Sequence, residues 1–119
     1  MRRSHVADHM QCLVSALPGG HLVVVSGEVD MATAPSLAGA LVPFANGTVT
    51  VDLSDVTFID STGLKALVAA HRQIERRRSR LIVRGVAPIV RRLFEIAGLD
   101  ALLRADPVDD YEPPGLDAT

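Results

Sequence analysis

A short run of carboxylate and hydroxyl side chains, Asp60, Ser61 and Thr62, comes directly before Gly63. The strand-like residues before it and the periodic apolar residues from Leu64 onward predict that a helix begins here. Ser61 is therefore predicted to cap the helix by accepting a hydrogen bond from a backbone N–H group. A phosphate group also suits this position, because open amides and the helix dipole favour negative charge. Two roles follow for Ser61: a structural cap, or a phosphorylated switch.

Catalytic roles for these residues find little support. A serine hydrolase needs a base within hydrogen-bond reach of Ser61, and His71 lies about 15 Å away along the same predicted helix. His21 is a base whose distance the sequence leaves open. A phosphate-accepting Asp60 would require clustered carboxylates for magnesium and a well-placed lysine, but the single lysine, Lys65, lies one turn past the site. No nucleotide-binding glycine loop is present. We therefore expect no enzymatic activity, no cofactor and no bound metal.

The composition predicts one domain of ordinary size. The chain has 119 residues, and its hydrophobic content of 48% is sufficient for a single core. A net charge of −2 gives no general attraction to nucleic acid or anionic membranes, and the arginines between 72 and 80 suit a helix C-terminus. Cys12 is the single cysteine, which excludes an intramolecular disulfide. No run approaches the ~20 apolar residues of a membrane span. We expect a cytoplasmic protein without nucleic-acid or membrane partners.

Hydrophobic periodicity predicts strands that alternate with helices. The predicted strands cover 12–17, 21–26, 48–53, 80–84 and, as a short final strand, 101–104. Helices are predicted to begin at 34, 61 and 88 and to end near 46, 77 and 97. A short polar turn is predicted after Leu53. The apolar face predicted for the last helix consists of Ile89, Leu93, Ile96 and Ala97.

This alternation indicates an α/β domain, and the opening hairpin makes its open sheet mixed. The domain is assigned to residues 10–106. Residues 1–9 are polar and are predicted to be a flexible N-terminal tail, whereas residues 107–119 are acidic and contain prolines. The latter composition predicts a disordered C-terminal tail.

The segment from Leu53 to Leu64, LSDVTFIDSTGL, closely resembles the signature of STAS-domain anti-sigma factor antagonists. The resemblance covers roughly residues 10–106 in order of elements. It includes the turn at 27–30 and the run from Pro88 to Leu99. It implies a single STAS-like domain, with a mixed open β-sheet and helices packed on it.

The resemblance also implies a function, that of a bacterial partner-switching regulator of transcription, typical of stress responses. In this family the unphosphorylated antagonist binds an anti-sigma factor that is also a serine kinase, and so releases the sigma factor. The kinase phosphorylates the serine that follows the aspartate, which is Ser61 here. A metal-dependent serine phosphatase reverses the modification. ATP and magnesium belong to the kinase, and we expect this chain to be a monomer.

Partner-binding residues follow from the same resemblance: Asp30, Asp60, Ser61, Thr62 and Gly63. Each has a second interpretation from its residue type alone. Asp30 and Asp60 are also typical of solvated turns, and Thr62 of a first helical turn. Gly63 lacks a side chain, which would let a partner backbone approach, and it costs the helix up to ~1 kcal/mol. The alternative for the whole chain is a non-switching STAS scaffold or regulatory subunit, in which Ser61 only caps its helix.

Overall fold

The computed structural model describes residues 2–7, 9–42 and 47–99, and for 2–7 the path of the backbone. Five strands and three helices lie within these described residues. The strands are β1 (Arg2–Ala7), β2 (Met10–Leu17), β3 (Gly20–Val29), β4 (Thr48–Ile59) and β5 (Arg80–Arg84). The helices are α1 (Ala34–Leu41), α2 (Ser61–Arg76) and α3 (Pro88–Ile96). The predicted final strand and C-terminal tail lie outside the described residues.

The strands form one mixed sheet in the order β1-β2-β3-β4-β5. β2 pairs antiparallel with β1 and β3, whereas β3, β4 and β5 are parallel. The parallel pairs are joined through α1 and α2, as parallel connections require. Because β3 and β4 end at the same edge of the sheet, Asp30 and Asp60 emerge side by side from a register in which Val29 faces Ile59. The predicted α/β class and mixed sheet are confirmed.

A flexible tail is expected over residues 1–9, but residues 2–7 of that segment form the strand β1. Residues 2–7 pair along their whole length with β2, from Arg2 opposite Ser15 to Ala7 opposite Met10. An edge strand is held by backbone hydrogen bonds to one neighbour, and these bonds do not depend on side-chain type. A polar composition therefore does not reveal such a strand.

β4 is longer than predicted and contains no turn after Leu53. Its pairing with β3 shifts twice, between Val24 and Ser26 and again between Gly27 and Glu28, and each shift places one extra residue in β4. Such bulges let a strand bend and continue through polar residues. They also change the burial period, so that the buried side chains at the end of β4 are three apart: Leu53, Val56 and Ile59. A prediction based on strict alternation of buried and exposed residues therefore ends the strand at Leu53.

The core lies between the sheet and the apolar faces of α1 and α2. β3 and β4 contribute alternate side chains to it, whereas the helices contribute residues three or four apart. The fully buried members include Val23, Val25, Val49, Val51, Leu37, Leu41, Leu67 and Ile74. Aliphatic packing of this kind, at about 1.5–3 kcal/mol for each buried side chain, is the main force that holds α2 on the sheet.

The buried face of α3 differs from the prediction. Val90 and Phe94 are buried and Leu93 is half-buried, whereas Ile89 is 76% exposed and Ile96 is 72% exposed. Two apolar stripes overlap on this helix, and periodicity alone does not decide which one faces the core. The fully buried Phe94 ring shows which stripe packs inward. None of the helices in the described ranges is long and apolar enough to cross a membrane.

Candidate functional site

Asp60 is the residue that caps α2. Its backbone is extended, and its side-chain Oδ1 accepts hydrogen bonds from the backbone N–H groups of Thr62, at 2.9 Å, and Gly63, at 3.0 Å. Its backbone carbonyl accepts from Leu64 N at 3.0 Å. The prediction that Ser61 caps the helix is therefore wrong, because Ser61 is the first helical residue. Asp and Ser cap equally well, so two adjacent candidates cannot be ranked from sequence.

Ser61 lies on the surface at this helix start. Its side chain is exposed, and it makes no hydrogen bond with any other residue in the described ranges. The next hydroxyl, on Thr62, is half-buried. Since the cap bonds are made by Asp60, the hydroxyl of Ser61 is open to modification or to a partner without loss of the cap.

Gly63 is buried against the sheet. A Cβ atom at this position would lie 2.7 Å from Val29 Cγ1, 2.8 Å from Ile59 Cγ1 and 2.9 Å from the Val29 carbonyl oxygen. The absence of a side chain therefore lets the first turn of α2 approach the ends of β3 and β4. Internal packing therefore gives a physical reason for this glycine, and its contact with a partner backbone stays a prediction.

Asp30 organises the loop that leads into α1. Its Oδ1 accepts hydrogen bonds from Ala32 N at 3.0 Å and Thr33 N at 3.2 Å, and its Oδ2 lies 2.7 Å from His9 Nε2. The hydrogen bond with His9 is the main reason why the pKa of Asp30 lies below its ordinary value of 3.8. Thr33 occupies the N-cap position of α1, but its side chain makes no cap hydrogen bond. Its hydroxyl donates instead to the Glu28 carbonyl at 2.9 Å.

The Asp30 loop and the start of α2 are joined by the sheet. The N–H group of Asp60 donates to the Val29 carbonyl at 3.2 Å, directly beside the register pair of Val29 and Ile59. The structure therefore brings Asp30, Asp60 and Ser61 to one edge, as their positions after parallel strands predict. We call this edge, from the Asp30 loop to the first turn of α2, the switch edge.

A groove opens beside Ser61. It has a volume of about 250 Å³ and is lined by Ser61, Leu64, Lys65, Val68, Ala97 and Leu99. α2 supplies one wall, and the residues that follow α3 supply the other. Sequence reasoning assigned no role in the site to Lys65 or Leu99, because nothing in the sequence places the end of α3 beside the start of α2.

Exposed apolar side chains flank the switch edge. Met31, next to Asp30, is 77% exposed, and Phe58, two residues before Asp60, is 48% exposed. Apolar side chains that a monomer leaves in water beside polar groups are typical of protein interfaces. Phe58 is exposed because the bulges in β4 turn its side chain away from the core. Neither residue is predicted by the sequence patterns to belong to the site.

The candidate catalytic bases lie far from Ser61. His71 is on α2, about 15 Å from Ser61 by the rise of the helix. Its Nε2 lies 3.1 Å from the Glu75 carboxylate. His21 faces Val49 at the beginning of β4, about 30 Å from the opposite edge by the rise of an extended strand. Neither histidine can activate Ser61 as a nucleophile.

The architecture and the site together define a small α/β domain with a mixed sheet and an exposed serine at the start of α2. The family described as "Mlab, STAS domain" matches residues 12–104. An anti-sigma-B factor antagonist of Listeria monocytogenes is 37% identical over 90 residues, which is 73% of this chain and 79% of that protein. This chain therefore belongs to the STAS domain family.

Solved structures agree with this assignment. The crystal structure of an anti-sigma factor antagonist from Mycobacterium paratuberculosis superposes with a TM-score of 0.66 at 35% identity, covering 91% of this chain and 88% of that one. The anti-sigma factor antagonist SpoIIAA in its unphosphorylated form gives a TM-score of 0.65 at 21% identity, covering 77% of this chain and 84% of that one. The second likeness concerns the fold alone.

Proposed function

We propose that this chain is an anti-sigma factor antagonist, a bacterial cytoplasmic protein that binds an anti-sigma factor and so releases a sigma factor. Membership of the STAS family supports this role, as do the relatives at 37% and 35% identity. The observation that carries the proposal is the exposed hydroxyl of Ser61 on an edge flanked by Met31 and Phe58. The protein acts by binding, and its chemistry is supplied by its partners.

Ser61 is the proposed site of phosphorylation. The anti-sigma factor, acting as a serine kinase, transfers the γ-phosphoryl group of ATP to Ser61 Oγ; the hydroxyl proton is released and ADP leaves. A metal-dependent serine phosphatase hydrolyses the ester and restores the hydroxyl. Exposure of Ser61 favours this site over the half-buried Thr62.

The phosphate acts on the interface more than on the fold. It adds about −1.5 to −2 charges next to Asp60, on a surface that includes the proposed partner-binding residues Asp30, Asp60, Ser61, Thr62 and Gly63. No hydrogen bond within the described residues depends on Ser61 Oγ, so the domain keeps its structure. A partner surface fitted to a neutral hydroxyl is repelled.

The test is to incubate the purified chain with ATP, magnesium and each candidate anti-sigma kinase, and to map the phosphate by mass spectrometry. We expect phosphate on Ser61 in the wild type and in the matched control Thr62→Ala, and none in Ser61→Ala. Phosphate that persists in Ser61→Ala would overturn the assignment.

Partner binding supplies the second part of the test. We expect Ser61→Asp to lose at least tenfold in affinity for the anti-sigma factor, while its melting temperature stays close to that of the wild type. A complex that is insensitive to Ser61→Asp would instead indicate the alternative function, a non-switching STAS scaffold or regulatory subunit.

A further inference from the structure

Ser61 and Lys65 face the same groove. They lie four residues apart on α2, and both line the cavity next to the switch edge. Side chains at this spacing are neighbours on a helix, with Cβ atoms about 5–6 Å apart. Lys65 is exposed and is the single lysine of the sequence. It forms no ion pair with another residue in the described part of the chain.

A phosphate on Ser61 would find the nearby helix amides already occupied. The N–H groups of Thr62 and Gly63 donate to Asp60 Oδ1, and that of Leu64 donates to the Asp60 carbonyl. The phosphate could use these amides only by displacing the Asp60 cap. With the cap intact, a nearby cation is the remaining source of charge-assisted hydrogen bonds for the phosphate.

The groove contains one such cation. Ala97 and Leu99 on its far wall are uncharged, as are Leu64 and Val68 on α2. The nearest carboxylates are those of Asp60 and, beyond Val29, Asp30, whereas the arginines of α2 and α3 are not among the residues that line the groove. Both carboxylates would repel the phosphate, which leaves Lys65 as the cation of the groove.

We propose that Lys65 binds the phosphate of phosphorylated Ser61 through an ion pair between positions i and i+4 of α2, and thereby closes the groove. The proposal rests on the proposed phosphorylation of Ser61. The ammonium group has three donors for the phosphate oxygens, and its four-carbon stem can cover the apolar wall while its charged end stays in water. Phosphorylation then has two effects on the switch edge. It adds negative charge, and it withdraws Lys65 and the groove from any partner.

The first experiment places phosphoserine at position 61 of the full chain by genetic code expansion, so that no kinase is needed. The second pKa of the phosphate, ordinarily about 6, is then measured by phosphorus NMR. Because a cation favours the doubly charged form, we expect this pKa to be lower in the wild type than in Lys65→Gln by about 0.3–0.5 of a pH unit.

Arg72→Gln is the matched control. Arg72 is an exposed cation on the same helix, eleven residues from Ser61, and we expect its loss to leave the phosphate pKa unchanged. Equal values in the wild type and Lys65→Gln would overturn the proposal. An equal effect of Arg72→Gln would also overturn it, since the shift would then reflect general charge.

The second experiment uses the single lysine directly. Reductive methylation with carbon-13 formaldehyde labels Lys65 and the α-amino group, and it preserves the positive charge. We expect the Lys65 methyl signal to move on phosphorylation and to titrate together with the phosphate. A signal that is identical in the two forms would contradict the ion pair. Neither result depends on whether a kinase modifies Ser61, so failure of the proposed function remains a separate outcome.

Discussion

Asp60 and Ser61 are adjacent residues of types that can both cap a helix, but in this structure Asp60 is the cap and Ser61 is exposed. The carboxylate of Asp60 makes both cap hydrogen bonds of α2, and the hydroxyl of Ser61 points to the surface without an intramolecular bond within the described residues. This division of roles separates stability from the proposed signalling role, because the group that we propose to be modified is not the group that holds the helix start.

The division predicts unequal effects of alanine at these two positions. Asp60→Ala removes the cap and should lower the free energy of unfolding by about 1–2 kcal/mol. Ser61→Ala should change it by less than about 0.5 kcal/mol, as expected for a surface substitution. Urea unfolding followed by circular dichroism measures both. A larger loss in Ser61→Ala than in Asp60→Ala would show that Ser61 is the cap after all.

At the scale of elements, the close approach of α2 to the sheet positions the switch edge. Gly63 permits this approach, since even a Cβ atom would lie 2.9 Å from the Val29 carbonyl oxygen and closer still to two side chains. The bulges in β4 complete the geometry, because they carry the strand to Ile59 and turn Phe58 outward. The position of Ser61 therefore depends on one glycine and two irregular strand pairings.

The substitution Gly63→Ala shows whether the steric cost of a side chain at this position exceeds the gain in helix propensity. Alanine favours a helix by up to about 1 kcal/mol over glycine, but here the added methyl group should destabilise the domain by about 1–3 kcal/mol through overpacking. Gly39→Ala is the matched control on α1, where a Cβ atom would meet nothing within 4 Å, and it should stabilise the domain. Thermal unfolding of both variants gives the comparison, and a Gly63→Ala variant as stable as Gly39→Ala would contradict the close approach.

At the scale of the whole molecule, one aliphatic core joins the antiparallel and parallel parts of the sheet. Cys12, on β2, is fully buried in this core, and burial raises the pKa of its thiol to about 12. The thiolate is the reactive form of cysteine, so the native protein holds this thiol in an unreactive state.

Cys12 is therefore expected to report global unfolding. Labelling with a disulfide reagent at pH 8 should be slow in the native protein and should follow the rate of unfolding when urea is added. The measurement is the release of the coloured thiolate over time, with the unfolded chain as the control. Rapid labelling without urea would show that β2 opens locally.

Four features could be predicted from sequence patterns: the α/β class, the β2–β3 hairpin, the order of the later elements and the placement of Ser61 at the start of a helix. These features depend on local periodicity and on turn and capping residues, which act over a few positions. Four other features became visible in the folded chain: Asp60 is the cap, Phe94 and not Ile96 faces the core, residues 2–7 form an edge strand, and Lys65 and Leu99 share a groove with Ser61. Each of these results depends on contacts between distant segments or on a choice between equivalent neighbours, and local residue preferences do not encode either.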